Sequence, residues 1–517
     1  MSKKITHIFV ITFFITAFFV LMYSFGYRIY IVKEPKIIPT GSIFVKQFPA
    51  PASVILNNEQ KGTTSQFTGE FLIQSLPEGV YHLQVTKDGY QVWGKKVKVQ
   101  PQKVAEFKFI DLFKNNYTPS LFFSFLKGDK NKTTSNQSSN QENAIHQQPQ
   151  KETLQTQQNQ LQEQEQSQSQ PKNNNIKKII QLAEDKFLIE AEDEIYIFNK
   201  NKIFSIDIKI IKNNLSDFEA SEKTVQIYKD FLMLSGTSNT KQKFPSFLVF
   251  NLPEKQFEII NLENYNAKID TFKIGNKKII FLSDKKLYLV EFQEKDSKII
   301  ISQKINQIGD NVLSFDVIGD ELFFIEKSPL GNKVFVQGWF DNEKFKISKK
   351  VPLYFQNIEE NKFKVLKEKG LIIFRLNNKA FVLEDFKVFL AHNNIIDFFL
   401  SPDKQKIAIP TSNELILFFI KKKENQPQKE KFEKVYLWNT PNKLLKSQWL
   451  DGNNLLILTE KGLYVIEADD RDYANSFRIL ESEIKNFFYN FEDNMLYIFK
   501  DDGVYSIENF REDNLIF

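Results

Sequence analysis

The chain has 517 residues, 42% of them hydrophobic, with 69 cationic and 64 anionic side chains, a formal net charge of +5 and no cysteine. That length allows two or three domains with real cores, while the missing thiol excludes disulfides, thiolate nucleophiles and zinc-thiolate sites. Arginine stands only at Arg28, Arg375, Arg471, Arg478 and Arg511; specific readout of phosphates and bases favours the bidentate guanidinium fork, so nucleic acid is not expected as a partner.

Residues 1–4 form a short basic leader, Met1-Ser2-Lys3-Lys4, ahead of an apolar segment at residues 5–25. Its length corresponds to roughly 31 Å of helix at about 1.5 Å per residue, which matches a bilayer's hydrocarbon thickness. The alternative is a cleaved signal peptide. Against it, the apolar core is long and Leu21-Met22-Tyr23-Ser24-Phe25-Gly26-Tyr27 offers no small-x-small cleavage site. A single-pass signal anchor is therefore expected, with Lys3 and Lys4 favouring a cytoplasmic N-terminus and the bulk of the chain extracytoplasmic. Arg28, Lys33 and Lys36 weaken that charge contrast.

Residues 40–112 read as a compact module of six short strands, at 41–45, 53–56, 69–73, 81–85, 90–93 and 96–99, separated by Asn57-Asn58, Lys61-Gly62, Pro77-Glu78-Gly79 and Lys87-Asp88-Gly89. Six strands of this length close a core only as two packed sheets. Several residues carry a resemblance: Gly41 opening the first strand, Ala52-x-Val54, Gly62-Thr63, Leu76-Pro77-x-Gly79-x-Tyr81, and Gly89-Tyr90 leading to Trp93. In these the module resembles the PEGA domain, with Pro77-Glu78-Gly79-Val80 in place of the eponymous turn. It departs at Asn57-Asn58, where the family has Asp-Gly, and at Thr64, where a proline often stands. The resemblance implies a small extracytoplasmic β-sandwich of prokaryotic envelope and surface-layer proteins that mediates interactions without catalysis. Tyr81, Tyr90 and Trp93 are the candidate ligand-binding residues, an aromatic face for sugar or peptide, weighed against ordinary packing inside the sandwich.

Residues 127–175 turn to Gln, Asn, Ser and Lys and bury too little to order themselves, so a disordered tether is expected there. It would free the C-terminal region to search over distance. From 176 to 517 a strand with an apolar-aromatic-apolar centre recurs at Ile195-Tyr196-Ile197, Phe247-Leu248-Val249, Leu287-Tyr288-Leu289, Val334-Phe335-Val336, Ala380-Phe381-Val382, Leu415-Ile416-Leu417, Leu463-Tyr464-Val465 and Val504-Tyr505-Ser506. The centres lie 35 to 52 residues apart, bracketing the period of a four-stranded propeller blade. Eight copies argue for eight blades, with seven and one irregular insertion as the alternative. Ser401-Pro402-Asp403-Lys404 before Lys406-Ile407-Ala408 resembles the repeat of WD40-like and TolB-type propellers. A propeller must join its ends, and Leu121-Phe122-Phe123-Ser124-Phe125-Leu126 is an apolar run with no place in the sandwich, so residues 119–126 are expected to close the ring.

The fold class expected is thus all-β with one N-terminal transmembrane helix, a small sandwich and a C-terminal propeller. His7, His82, His146 and His392 fall in four separate segments, and no spacing sets up a catalytic dyad or triad. Asp469-Asp470-Arg471-Asp472 and Asp501-Asp502-Gly503 lack the alternating ligands of a calcium loop and read as solvated turns. Neither an enzyme nor a cofactor or metal is expected. The reading is a membrane-anchored binding or scaffold protein facing an envelope protein or glycan. A propeller hydrolase using channel carboxylates and an envelope assembly or secretion factor are the alternatives.

Overall fold

The computed structural model describes residues 3–31, 35–125 and 177–512, except 184, 192–193, 200–201, 208–217, 239–243, 342–343, 355–362 and 482. The predicted tether and the terminal Asn514-Leu515-Ile516-Phe517 lie outside the described residues. Helix α1 (Lys3–Ser24), the one helix among the described residues, carries the apolar segment. Its window His7–Ser24 is long and apolar enough to cross a membrane, and none of it is buried against the rest of the molecule.

The helix ends at a left-handed Gly26, φ +80°, the conformation that glycine adopts without penalty. A hairpin of β1 (Tyr27–Ile31) and the first part of β2 (Pro35–Phe48) comes next. Beyond Pro39 the same strand enters the sandwich. There it runs antiparallel to β5 (Glu70–Pro77) and parallel to β8 (Val104–Asp111). The second sheet is formed by β3 (Ser53–Leu56), β4 (Glu59–Thr63), β6 (Gly79–Thr86) and β7 (Trp93–Val99), in the order β4-β3-β6-β7.

Two of these seven sandwich strands, β4 and β8, depart from the sequence expectation. Glu59-Gln60-Lys61 is polar and mostly exposed, so β4 carries no alternation of its own. Of the final two expected strands, 96–99 lies in β7, which begins at Trp93; Tyr90 to Val92 form no strand, Tyr90 making only an isolated bridge to Lys114, and β8 supplies the remaining strand. Asn57 and Asn58, both at positive φ, make the two-residue turn between β3 and β4, which is why an Asp-Gly is dispensable there.

Among the described residues from 178 on, the chain forms a propeller of eight four-stranded sheets, at 178–207, 218–261, 271–309, 312–353, 363–392, 399–439, 444–481 and 486–507; these are blades 1 to 8. Each of the eight recurrent apolar-aromatic segments is the third strand of its blade. Blade 8 has only three strands of its own, Asn486–Asn490, Met495–Lys500 and Gly503–Ile507. Its fourth is β9 (Ser120–Ser124), antiparallel to Gly503–Ile507. Apolar clusters join every consecutive pair of blades, and one containing Phe125, Phe187, Phe198, Phe488, Tyr497 and Phe499 joins the eighth to the first. The ring is closed, leaving no unpaired edge at its ends.

Sandwich and propeller share one core. Val85, Trp93, Phe107, Phe113 and Leu112 belong to the same buried cluster as Phe477, Ile479, Phe487 and Phe510 of blades 7 and 8. The expectation of a ring hung on a long tether away from the sandwich is corrected accordingly. Residues 126–176 connect blade 8 to blade 1, two neighbours in the ring, and the sandwich reaches the ring through direct packing.

Candidate functional site

The three aromatic candidates do not form one exposed face. Trp93, at 0% exposure, lies under blade 7, with its ring edge-on to Phe107 at 5.3 Å and its Nε1 donating to Glu467 Oε1 at 3.0 Å. Tyr90 donates its hydroxyl to Glu512 beyond the last blade, and burial with that carboxylate pushes its pKa up. Tyr81 turns back across the β5–β6 turn and donates to the Pro77 carbonyl at 2.9 Å. Two of the three therefore join the sandwich to the ring, and the third stiffens a turn.

Strand β7 shows how this arises. Trp93, Lys95, Val97 and Val99 share one face and are all buried, while Lys96 and Lys98 opposite are exposed. Gly94 breaks that alternation by being buried on the other face, because blade 7 closes over this end of the strand. Lys95 is fully buried, and its ammonium meets Glu467 Oε2 at 3.2 Å. It also donates to the carbonyls of Asp469 at 2.9 Å and Arg471 at 3.0 Å, and to that of Tyr473. Asn475 Nδ2 gives Glu467 a further donor at 2.8 Å. A buried charge is tolerated only when paired and hydrogen-bonded in this way. Burial still raises the Glu467 pKa above the ordinary range, against the pull of Lys95.

The acidic turn 469–472 is a socket for the sandwich. Its reading as solvated holds for the exposed Asp472 and only in part for Asp469 and Asp470, and each carboxylate has a partner. Asp469 accepts from Arg471 Nε at 3.0 Å, Asp470 from Lys429 at 2.7 Å, and Asp472 from the Lys96 backbone N–H at 2.9 Å. Burial works against the Asp469 charge, but Arg471 and Lys95 outweigh it and hold the pKa down. Arg471 also stacks on Phe107, its guanidinium carbon 3.9 Å from the ring centre, and donates to the Glu106 carbonyl at 2.8 Å. On the opposite flank Arg511 bridges Asp111 of β8 at 3.1 Å and Asp451 of blade 7 at 3.0 Å, while Asn454 donates to Asp111 at 2.7 Å. Burial first, with the Asp451 charge adding to it, pushes the Asp111 carboxyl up to about 7, against the pull of Arg511.

Two clefts open along this junction. One, of about 350 Å³, lies between Phe107, Phe109, Gln426, Pro427, Asp469 and Arg471. The other, of about 360 Å³, lies between Pro49, Tyr90, Lys114, Tyr117, Arg511 and Glu512. Among the described residues no group of His, Asp and Glu is placed to hold a metal ion.

The inner strands of the ring carry a second polar system that the sequence did not reveal. First strands of neighbouring blades approach one another, and lysines there reach to the next blade. Lys273 meets Asp316 at 2.5 Å, Lys364 meets Asp397 at 2.9 Å, and Lys446 donates to Asn486 at 2.8 Å. The other oxygen of Asp316 accepts the Val365 N–H at 2.7 Å. Each of these carboxylates is engaged by a lysine as a tie between blades, an arrangement unlike two carboxyls set apart as acid and base. Of the tryptophans, Trp449 is buried and donates to the Phe399 carbonyl at 3.0 Å, Trp438 packs against the core between blades 6 and 7, and Trp339 is half-exposed.

The architecture defines a class: an apolar N-terminal helix, a two-sheet sandwich and a closed eight-bladed WD40-like propeller fused to it. Residues 40–110 match the PEGA domain family, so the sandwich is a PEGA domain. No curated protein matches the sequence. Among solved structures, Hsv2 of Kluyveromyces lactis is similar in fold at 13% identity, covering 59% of this chain and 98% of that one, with a TM-score of 0.39. The WD40 domain of SCAP from fission yeast is similar at 8% identity, covering 66% of this chain and 96% of that one, with a TM-score of 0.37.

Proposed function

We propose that the protein is a non-enzymatic scaffold, anchored in the cell membrane by α1, that holds its propeller outside the cytoplasm at a fixed attitude for an envelope protein or glycan to bind. The supporting observation is an unbroken series of ties. Arg28 stacks on Tyr23 of the helix at 3.6 Å and donates to Ser75 of the sandwich at 2.8 Å, and the Lys95–Glu467 network carries the connection into blade 7. A platform whose parts are already fixed spends little binding free energy on ordering itself. The buried polar groups at the junction pair with one another, which suits a structural joint.

Two measurements test this. Reporters active only outside or only inside the cytoplasm, fused separately after Phe517, should report an external C-terminus; signal from the cytoplasmic reporter alone overturns the placement. A hydrolase screen over glycosides, esters, peptides and phosphoesters on the region after Gly26 should give no turnover, while a pull-down and glycan array with the same region should return a saturable ligand. Turnover lost in Asp316→Asn or Asp397→Asn would make the channel catalytic and refute the binding reading.

A further inference from the structure

Between the helix and the sandwich stands a hairpin that belongs to the fold of neither. Register pairs Ile29 of β1 directly with Ile37 of β2, and both are 55% exposed. Residues opposite one another in an antiparallel pair stand on the same face, so the two form one apolar patch. An isolated two-stranded hairpin is marginal in water, and among the described residues β1 pairs with β2 alone.

Its direction follows from β2. That strand pairs with β1 at Pro35 to Pro39 and with the sandwich strands from Thr40 onward. Hairpin and sandwich thus occupy opposite ends of one strand. Gly26, where the helix arrives, accepts the Thr40 N–H at 2.8 Å, which is the border between the two ends. The hairpin therefore projects away from the sandwich, starting from the point where the helix joins, for roughly 17 Å at about 3.3 Å per residue. Arg28, at its root, turns its guanidinium toward the end of the helix, donating to the Tyr23 carbonyl at 2.8 Å and lying over the Tyr23 ring. An arginine and tyrosines at this level are the residue types of a membrane–water boundary.

We infer that the β1–β2 hairpin is a membrane-interface element: the Ile29–Ile37 face inserts into the headgroup and upper acyl region of the bilayer that α1 crosses, so that two points of attachment set the tilt of the sandwich and ring. The inference rests on α1 spanning the bilayer. A patch this small adds little affinity beside a spanning helix; its role is orientation.

A chain without cysteine makes the test direct. Ile29→Cys, Ile37→Cys, Phe14→Cys at mid-helix and Phe67→Cys on the exposed far part of the sandwich are each labelled with an environment-sensitive fluorophore. The full-length protein is reconstituted into vesicles of phosphatidylcholine and phosphatidylglycerol in equal parts, with or without lipids bearing a nitroxide near the headgroup. The expected result is blue-shifted emission at 29 and 37, quenched several-fold more than at 67, with 14 lipid-exposed and better quenched by a deep nitroxide. Aqueous emission at 29 and 37 with a quenched 14 overturns the inference and leaves the span intact. An aqueous 14 overturns the span and the inference together. Blue-shifted emission at 29 and 37 without lipid quenching means that a second copy or another protein covers the face, and also overturns it. The paired variant Ile29→Ser/Ile37→Ser, carrying the label at 67, should shift the distance from label to bilayer if the hairpin sets the tilt; an unchanged distance counts against it.

Discussion

Between blades 8 and 1 the ring closes on tilted and edge-on aromatics, with Phe198 to Tyr497 at 5.0 Å and Phe187 to Phe499 at 4.9 Å. Between the sandwich and blade 7 the contact centres on a buried ion pair, Lys95–Glu467, set around Trp93. Both are buried and both join segments far apart in sequence. Aromatic packing is strong and tolerant of small shifts, since its gain follows area. A fully satisfied polar network is intolerant, because any displacement leaves a buried group unpaired. The closing seam supplies stability, and the docking seam supplies one allowed geometry. A scaffold that must present its ring at a fixed angle needs the second property more than the first.

The largest effect should come from breaking the closing seam. Deleting residues 120–125 removes β9 and the buried Phe125, and exposes the edge of Gly503–Ile507. Each large side chain taken from burial costs about 1.5–3 kcal/mol, and further ladder hydrogen bonds are lost, so urea denaturation should show a loss of several kcal/mol. Phe125→Ala, which keeps the strand, should cost about 3–5 kcal/mol. Unchanged midpoints in both would mean that the ring closes without this strand and that the two seams do not differ as described.

The docking seam sharpens the comparison through an asymmetry. Lys95→Met strands Glu467 and orphans three carbonyls at once, and losing one partner of a buried pair typically costs about 3–5 kcal/mol. Glu467→Gln leaves Lys95 its three carbonyl acceptors and keeps one oxygen to accept from either Trp93 or Asn475, leaving the other donor unpaired, so it should cost about 1–3 kcal/mol, the range of an unsatisfied buried polar group. Denaturation of both variants, with protease sensitivity near 100–120 as the local readout, checks the order. Equal losses would show that the carbonyls contribute nothing.

Much of the ring was legible because its signal is local. Tyr196, Leu248 and the other six central residues recur at blade spacing since each third strand sees the same buried surroundings, and the Leu121–Leu126 run stood out because an apolar strand needs a partner somewhere. The junction was not legible, because its residues look like their opposites in sequence. Lys95 sits between the expected strands 90–93 and 96–99 with nothing local to mark its burial, and Asp469-Asp470-Arg471-Asp472 reads as a solvated turn; only contact between residues about 375 positions apart buries Lys95 and gives that turn its partners. One signal was present. In a chain that uses lysine almost everywhere, Arg28 joins helix to sandwich, Arg471 and Arg511 join sandwich to ring, and Arg375 ties blade 5 to the Ile396 carbonyl before blade 6. The planar fork makes several directed bonds while losing less rotamer freedom per bond than an ammonium, so four of the five arginines mark places where elements are locked together, while Arg478 pairs with Glu481 of its own strand.

The smallest effect concerns pH and belongs to the flank of the docking seam. The Asp111 carboxyl, pushed up to about 7 by burial with Asp451 beside it, holds in the folded state a proton that the unfolded chain releases near 3.8. Below about 4 both states are protonated and this group is neutral in its effect. As pH rises from there to about 7 the folded state keeps the proton that the unfolded state gives up, so stability falls across that window and levels off above it. Asp111→Asn mimics the protonated form: its amide nitrogen can donate to Asp451 while its oxygen accepts from Asn454 and Arg511. The variant should match the wild type near pH 4, draw ahead as pH rises, and exceed it by about 1–2 kcal/mol at pH 8, given the group's partial exposure and the roughly 1.4 kcal/mol carried by each pKa unit. Parallel pH profiles of the denaturation midpoint in the two proteins would mean that Asp111 is ionised throughout, with Arg511 outweighing burial, and the flank would then be an ordinary ion pair.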